Sequence, residues 1–336
     1  MVTIKDIAKE AGVSVTTVSN VIHNKKSRVS PELVKKINEI IKKNHYSPNL
    51  SARSLVSKNS HIVGILSFGT KTDVQSITED PFIGMLIRAM EYEISMRGYY
   101  TMIYTVSSEE ELIALKNNWN LAGVIVYGLF EGKLYDFFTQ IGIPCVLIDS
   151  YIKGESFYNI GIDDYKGGYM ATNYLIKNGH KDIAFVSPIV FETGVIHERY
   201  KGYVDALKDA GLELKNKNVF QLSAVDAGYA LGQNLASRED ITAIFATADL
   251  LALGIISGLK SMGVEVPDDI SVVGFDDLDS TSFYNPPLTT VRQDVRYKGA
   301  VAVRTLINAI EGKETERNIS LPLKIVERKS VKKISD

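Results

Sequence analysis

Cysteine is scarce in this chain, with one in 336 residues. A lone cysteine closes no internal disulfide, and Cys145 lies in the apolar run Pro144-Cys145-Val146-Leu147-Ile148, which reads as a buried strand with the thiol as core filler. No apolar run reaches the roughly 18 residues that a membrane span needs. Lys5, Asp6, Lys9 and Glu10 interrupt the N-terminal stretch, so it lacks the basic, apolar and small-residue succession of a signal peptide. These absences lead to the expectation of a cytoplasmic protein with no membrane partner.

The familiar catalytic patterns are missing as well. Gly254-Ile255-Ile256-Ser257-Gly258 places its serine one position late for a nucleophile elbow. Gly132-Lys133-Leu134 lacks both the earlier glycine and the hydroxyl of a phosphate loop, and no G-x-G-x-x-G occurs. The histidines at 23, 45, 61, 180 and 197 show no metal-ligand spacing. Asp276-Asp277 is a pair of carboxylates, but neighbours on one strand point to opposite faces. The expectation is therefore a protein that binds rather than catalyses, with no metal and no cofactor.

What the chain does have is an uneven charge. Its net −2 divides into +7 over residues 1–60, from eleven Lys/Arg and four Asp/Glu, and −9 over the remainder. A basic head on an acidic body suits contact with a polyanion, although a charge run is by itself often only a solvated face.

Within the head, Thr3-Ile4-Lys5-Asp6 fits a capping box, and Ile4, Ile7, Ala8 and Ala11 form one apolar helical stripe. Gly12 stops that helix. Ser14 caps a second one, with Val18, Val21 and Ile22 inside. Two short helices joined by a glycine-containing turn form a helix-turn-helix. Ser30-Pro31 opens a third helix, buried through Leu33, Val34, Ile37, Ile40 and Ile41. Periodicity alone is equally consistent with a plain three-helix bundle. The outer face of the second helix favours DNA, because Val15, Thr16, Thr17, Ser19 and Asn20 are the small, mostly polar side chains that reach base edges in a major groove. Thr3, Ser14, His23 and Asn24 lie near helix ends, where hydroxyls and amides can hold phosphates. The segment Asn49–Val56 is long enough for about two helical turns, marginal in isolation. By itself it reads more readily as an ordinary linker.

From His61 onward, short apolar strands alternate with amphipathic helices, and the pattern restarts near residue 166. Such alternation means parallel sheets with covered faces, here two successive lobes. Ligands of open parallel sheets bind beyond the carboxyl ends of the strands, so facing lobes enclose a cleft.

The segments Thr3-Ile4-Lys5-Asp6-Ile7-Ala8, Gly12-Val13-Ser14, Thr17-Val18-Ser19 and Tyr46-Ser47-Pro48-Asn49, followed by Ala52-Arg53-Ser54-Leu55, closely resemble the lactose-repressor (LacI/GalR) family. Asp163-Asp164-Tyr165-Lys166-Gly167-Gly168, Arg199-Tyr200-Lys201-Gly202-Tyr203 and the run Val266–Asp277 extend the resemblance over essentially the whole chain. It implies a small all-α helix-turn-helix head and an α/β body of two parallel-sheet lobes, like periplasmic binding proteins. The implied domains are 1–47 for DNA binding, 48–60 as hinge helix and linker, and 61–336 for effector binding and dimerisation. Lobe one would take about 61–160 and 292–320, and lobe two about 161–291 and 321–333. Val15, Thr16 and Asn20 would read bases, Arg28 would add a contact, and Leu55 would wedge into the minor groove. Phe82, Asp149, Arg199, Asp276 and Gln293 would line the effector cleft. The partners implied are operator DNA, a second copy of the chain, and a small effector, a sugar or sugar derivative. Ala248 stands where sugar-binding members often carry Asn, and Val195 where some carry a hydroxyl, so the cleft has fewer hydrogen-bonding groups. An ion pair between Arg199 and Asp276 would be a purely structural alternative at those positions. A free ligand receptor of the periplasmic type is the rival reading, opposed by the basic head.

Overall fold

The computed structural model describes residues 2–22, 29–46, 60–68, 80–128, 141–152, 154–188, 193–222 and 227–334. They form two compact units, Met1–Ser60 and His61–Asp336.

In the first unit, α1 (Ile4–Ala11) begins with the capping box read from the sequence. Thr3 Oγ1 accepts from Asp6 N–H at 3.4 Å, and Asp6 Oδ2 accepts from Thr3 N–H at 2.8 Å. Two amides left open by the helix start are thereby satisfied. The helix ends where Gly12 turns left-handed at φ +73°, a conformation that glycine adopts without a Cβ clash. Ser14 Oγ accepts from Thr17 N–H at 3.1 Å and starts α2 (Val15–Ile22). Ser30 does the same for Leu33 at the head of α3 (Pro31–Lys43). Ile7, Ala8, Ala11, Val18, Val21, Ile37 and Ile40 form the buried core. Lys36, on the outward face of α3, donates through Nζ to the open carbonyl of Ala11 at 3.1 Å.

The second unit holds two six-stranded sheets. The first contains β1 (Ile62–Phe68), β2 (Tyr100–Val106), β3 (Leu121–Tyr127), β4 (Cys145–Ile148) and β5 (Tyr158–Ile162), in the order β2-β1-β3-β4-β5. The second contains β6 (Ile183–Pro188), β7 (Val219–Leu222), β8 (Ala243–Ala246), β9 (Ser271–Asp276) and β10 (Thr289–Gln293), in the order β7-β6-β8-β9-β10. One winding pattern is thus used twice, and β4 and β9 occupy equivalent places. Helices α4 (Pro81–Met96) and α5 (Glu109–Asn118) belong to lobe one; α6 (Asp164–Lys177), α7 (Val195–Asp209), α8 (Ala227–Leu235) and α9 (Asp249–Ser261) belong to lobe two.

The chain passes between the lobes three times. It leaves β5 at Ile162 for α6, and leaves β10 at Gln293 for α10 (Val295–Ile310), which packs back on α4 and β3. It then adds β11 (Asn318–Leu321) to the edge of the first sheet and β12 (Leu323–Val326) to the edge of the second. β12 runs antiparallel to β10, unlike its neighbours. Only Pro322 separates it from β11, so no crossover helix is available to restore the parallel direction. Of the fifteen described elements from β1 to β9, the sequence pattern places twelve and gives α5 no bounds. It did not mark β5, β7, β10, β11, β12 or α10.

At the crossing of α6 and α7, a Cβ on Gly168 would lie 2.1 Å from the Arg199 carbonyl oxygen, and one on Gly202 would lie 2.1 Å from that of Tyr165. The two backbones meet because both contact points lack side chains, and this close approach seats Arg199. No helix among the described residues is long and apolar enough to cross a membrane.

Candidate functional site: a DNA-reading head and an interlobe cleft

On the head, Thr3, Ser14, Val15 and Thr16 are exposed and Asn20 is half-buried. On the face of α2 assigned to DNA, Thr17 and Ser19 are half-buried as well. The hydroxyl of Ser14 is already bonded to Thr17 Oγ1 at 2.9 Å, so the helix start is built before any phosphate arrives. His23, Arg28 and Leu55 lie outside the described residues, as does the hinge except for Ser60.

In the body, polar side chains converge where β4, β9 and β10 end. Arg199, on the second turn of α7, is 6% exposed. Its Nε donates to Asp164 Oδ1 at 2.8 Å and its Nη1 to the Thr247 carbonyl at 2.6 Å. Its Cζ sits 3.6 Å from the centre of the Phe275 ring, a cation–π stack that uses the flat guanidinium. The ion-pair partner of Arg199 is thus Asp164 rather than Asp276. Asp164 opens α6 immediately after the first crossing, and its Oδ2 accepts from the Tyr151 hydroxyl of lobe one at 2.8 Å. Burial raises the Asp164 carboxyl above its ordinary pKa, although Arg199 opposes the shift.

Asp276 ends β9 with a left-handed backbone, φ +116°. Its equivalent on the first sheet, Asp149 after β4, is also left-handed at φ +52°. A chain of hydrogen bonds joins the two. Lys298 Nζ on α10 donates to both Asp149 carboxylate oxygens at 2.6 Å and to Gln293 Oε1 at 2.5 Å. Gln293 Nε2 then donates to Asp276 Oδ1 at 2.6 Å. Lys298 Nζ also lies 5.7 Å from the centre of the Phe82 ring. Burial pushes the Asp276 carboxyl up to about 7, Asp80 reinforces the shift, and Arg199, Gln293 and Lys298 counter it. Asp80 itself caps α4 by accepting from Phe82 N–H at 2.8 Å.

Of the five cleft positions singled out from the sequence, Asp149, Gln293 and Asp276 lie in this network and Phe82 lies against it, whereas Arg199 belongs to a second group with Asp164, Thr247 and Tyr151. Asp277 faces away and pairs with Arg328 at 2.5 Å. The sequence reading missed Lys298, Asp164, Tyr151 and Thr247. Lys298 had a signal: it occupies a buried position of the stripe Val295, Lys298, Gly299 and Ala302, where an apolar residue is the rule. The Thr247 hydroxyl, just beyond β8, is buried with no hydrogen-bond partner among the described residues. Such a group is costly unless something else satisfies it. Asp249 is also buried, but it accepts from Leu278 N–H at 2.8 Å and from the Thr290 hydroxyl at 2.6 Å, so it fastens the loop after β9.

A basic helix-turn-helix and a two-lobed body with a polar cleft, joined in one chain, define a ligand-sensing, DNA-binding regulator, and comparison with known proteins agrees. The profile of bacterial regulatory proteins of the lacI family matches residues 3–49, and that of the periplasmic binding protein-like domain matches residues 172–331. The chain is 34% identical, over the whole of both sequences, to the HTH-type transcriptional repressor PurR of Mannheimia succiniciproducens. It is 33% identical to that of Pasteurella multocida over 99% of each. Among solved structures, the Lac repressor bound to ONPG in the repressed state superposes with a TM-score of 0.83 at 25% identity, covering 98% of this chain and 99% of that one. The complex of the transcriptional regulator CelR with cellobiose gives 0.71 at 28% identity, covering 98% and 100%. The chain belongs to the lacI family of bacterial transcription regulators.

Proposed function

We propose that the chain is a repressor that binds its operator as a homodimer and responds to a small polyhydroxylated effector, a sugar or sugar derivative, held between the lobes. The observation that carries this reading is the convergence of Arg199, Asp276, Gln293 and Asp149 where the carboxyl ends of the two sheets face each other. Carboxylates and a guanidinium fork around an aromatic wall suit hydroxyl groups on a ring with one apolar face. The CelR complex contains cellobiose, and a LacI-family regulator from Enterococcus faecium, 26% identical with a TM-score of 0.69, contains ribose. The domains follow the boundaries given above: residues 1–47 read DNA, 48–60 form the hinge, and 61–336 bind effector and dimerise. Thr3, Ser14, Val15, Thr16, Asn20, His23, Arg28 and Leu55 contact DNA.

Two heads are needed to read half-sites one duplex turn apart. Pairing through lobe one is supported by the edge strand β2 and the adjacent α4, which expose Tyr92, Met96, Tyr100, Ile103 and Tyr104. An open strand edge with such residues calls for a partner. The protein acts by binding, at DNA in the cytoplasm, and without a cofactor. A thermal-shift screen of sugars and sugar phosphates tests the ligand class, because a binder of the native state raises Tm by mass action. A sugar that raises Tm and changes operator affinity is the expected result. A response only to compounds of another class would overturn the carbohydrate reading.

A further inference from the structure

We propose that Lys298 is the specificity-determining residue of the cleft: its ammonium fills the acceptor subsite between Asp149 and Gln293 that a ligand hydroxyl would otherwise occupy. The inference rests on the reading that the effector binds between the lobes.

Lys298 is completely buried and is the one charged member of a helical stripe that otherwise holds apolar residues, glycine and Thr305. A leucine or methionine would pack there without the desolvation cost of an ammonium. The three ammonium protons meet three acceptors, the two oxygens of Asp149 and the Oε1 of Gln293. The lysine is saturated and offers no donor to a ligand. It also commits both Asp149 oxygens and turns the Gln293 amide so that its nitrogen faces Asp276.

On lobe two the groups with unused capacity are Arg199 Nη2, the second oxygen of Asp276 and the Thr247 hydroxyl; on lobe one the Tyr127 hydroxyl, at the end of β3, is buried without a partner among the described residues. Beside the buried Lys298 the ligand meets the Phe82 ring of lobe one. This arrangement selects a neutral sugar with few hydroxyls at the end facing α10. Arg199 is already paired with Asp164 and Lys298 with Asp149, which disfavours an anionic effector. Removing the ammonium would release three acceptors and admit sugars with a further hydroxyl at that end.

The test compares full-length wild type, Lys298→Met and Lys298→Met/Asp149→Asn by calorimetry with D-ribose, D-xylose, D-glucose and cellobiose. The double variant leaves no uncompensated buried charge, so it decides the matter if the single variant fails to fold. The expected result is a shift in relative Kd of about tenfold, the effect of one added hydrogen bond, toward the more hydroxylated probes. Binding of such a probe by a variant but not by wild type supports the proposal equally. Unchanged Kd ratios in the variants overturn it and leave the carbohydrate reading standing. If none of the three proteins binds any probe, both are overturned.

Discussion

Arg199 donates to Asp164 at 2.8 Å, and Asp164 is the first residue of α6 after the chain has crossed from lobe one. The second oxygen of Asp164 is held by Tyr151 from the opposite lobe. A ligand that draws on the Arg199 guanidinium therefore acts on a pair that belongs to the crossing itself. Coupling between the cleft and the DNA-binding head requires only that the ligand prefer one arrangement of the lobes. This contact gives that preference a physical location.

Replacement of Arg199 by Ala should abolish the effector response while leaving operator affinity in the absence of effector within a factor of about three of wild type, given typical scatter for remote sites. It should also lower stability by about 3–5 kcal/mol, because Asp164 would be left buried without its counter-charge. Denaturant melts measure the second effect and operator titrations the first. A variant of normal stability with an intact response would contradict both roles.

Gly168→Ala places a methyl group 2.1 Å from the Arg199 carbonyl oxygen, where backbone must give way. The expected cost is about 1–3 kcal/mol, as for other overpacked sites. Because the displaced segment carries Arg199, effector affinity should fall although no ligand contact has been removed. Parallel thermal melts and ligand titrations check this, and unchanged affinity would show that the α6–α7 contact does not seat the arginine.

The Asp276 carboxyl, pushed up to about 7, binds its proton more tightly folded than unfolded. Its contribution to stability is therefore complete below the ordinary value of 3.8 and is lost as pH rises through about 7. Asp276→Asn imitates the protonated form. The Tm of the variant minus that of wild type should grow across this interval and level off above it. Asp164 and Asp249, also raised by burial, are present in both proteins and cancel to first order. A difference that does not vary with pH would contradict the assignment.

On the head, Asn20→Ala should weaken binding to the specific operator by about 1–3 kcal/mol while leaving salt-sensitive binding to random duplex nearly unchanged. Gel-shift titrations on both DNAs distinguish the outcomes. An equal loss on the two would mean that Asn20 meets the backbone rather than a base.

Much of this architecture could be read from the chain because its local signals agree with one another. Thr3, Gly12, Ser14 and Ser30 mark helix ends in the sequence and serve as those ends in the structure. The apolar strands through Val124, Cys145, Ile244 and Val272 became the centres of the two sheets. Edge strands such as β11 and β12 were not legible, because half-exposed four-residue segments carry little periodicity. In the cleft, positions at strand ends could be placed through family resemblance, but the partners of those residues could not. Arg199 meets Asp164 across 35 positions and Lys298 meets Asp149 across 149, distances over which only the tertiary fold decides which charges pair.

The central claim, a DNA-reading head governed by a ligand in the cleft, is tested most directly by one titration. Duplex selected by the full-length protein from a random pool is labelled, and its Kd is measured by fluorescence anisotropy with and without the sugar identified by thermal shift. The account predicts a two-fold symmetric selected site whose Kd changes by about 5- to 150-fold with saturating ligand, while random duplex is unaffected. A Kd identical with and without that ligand, or a selected site without two-fold symmetry, would contradict it.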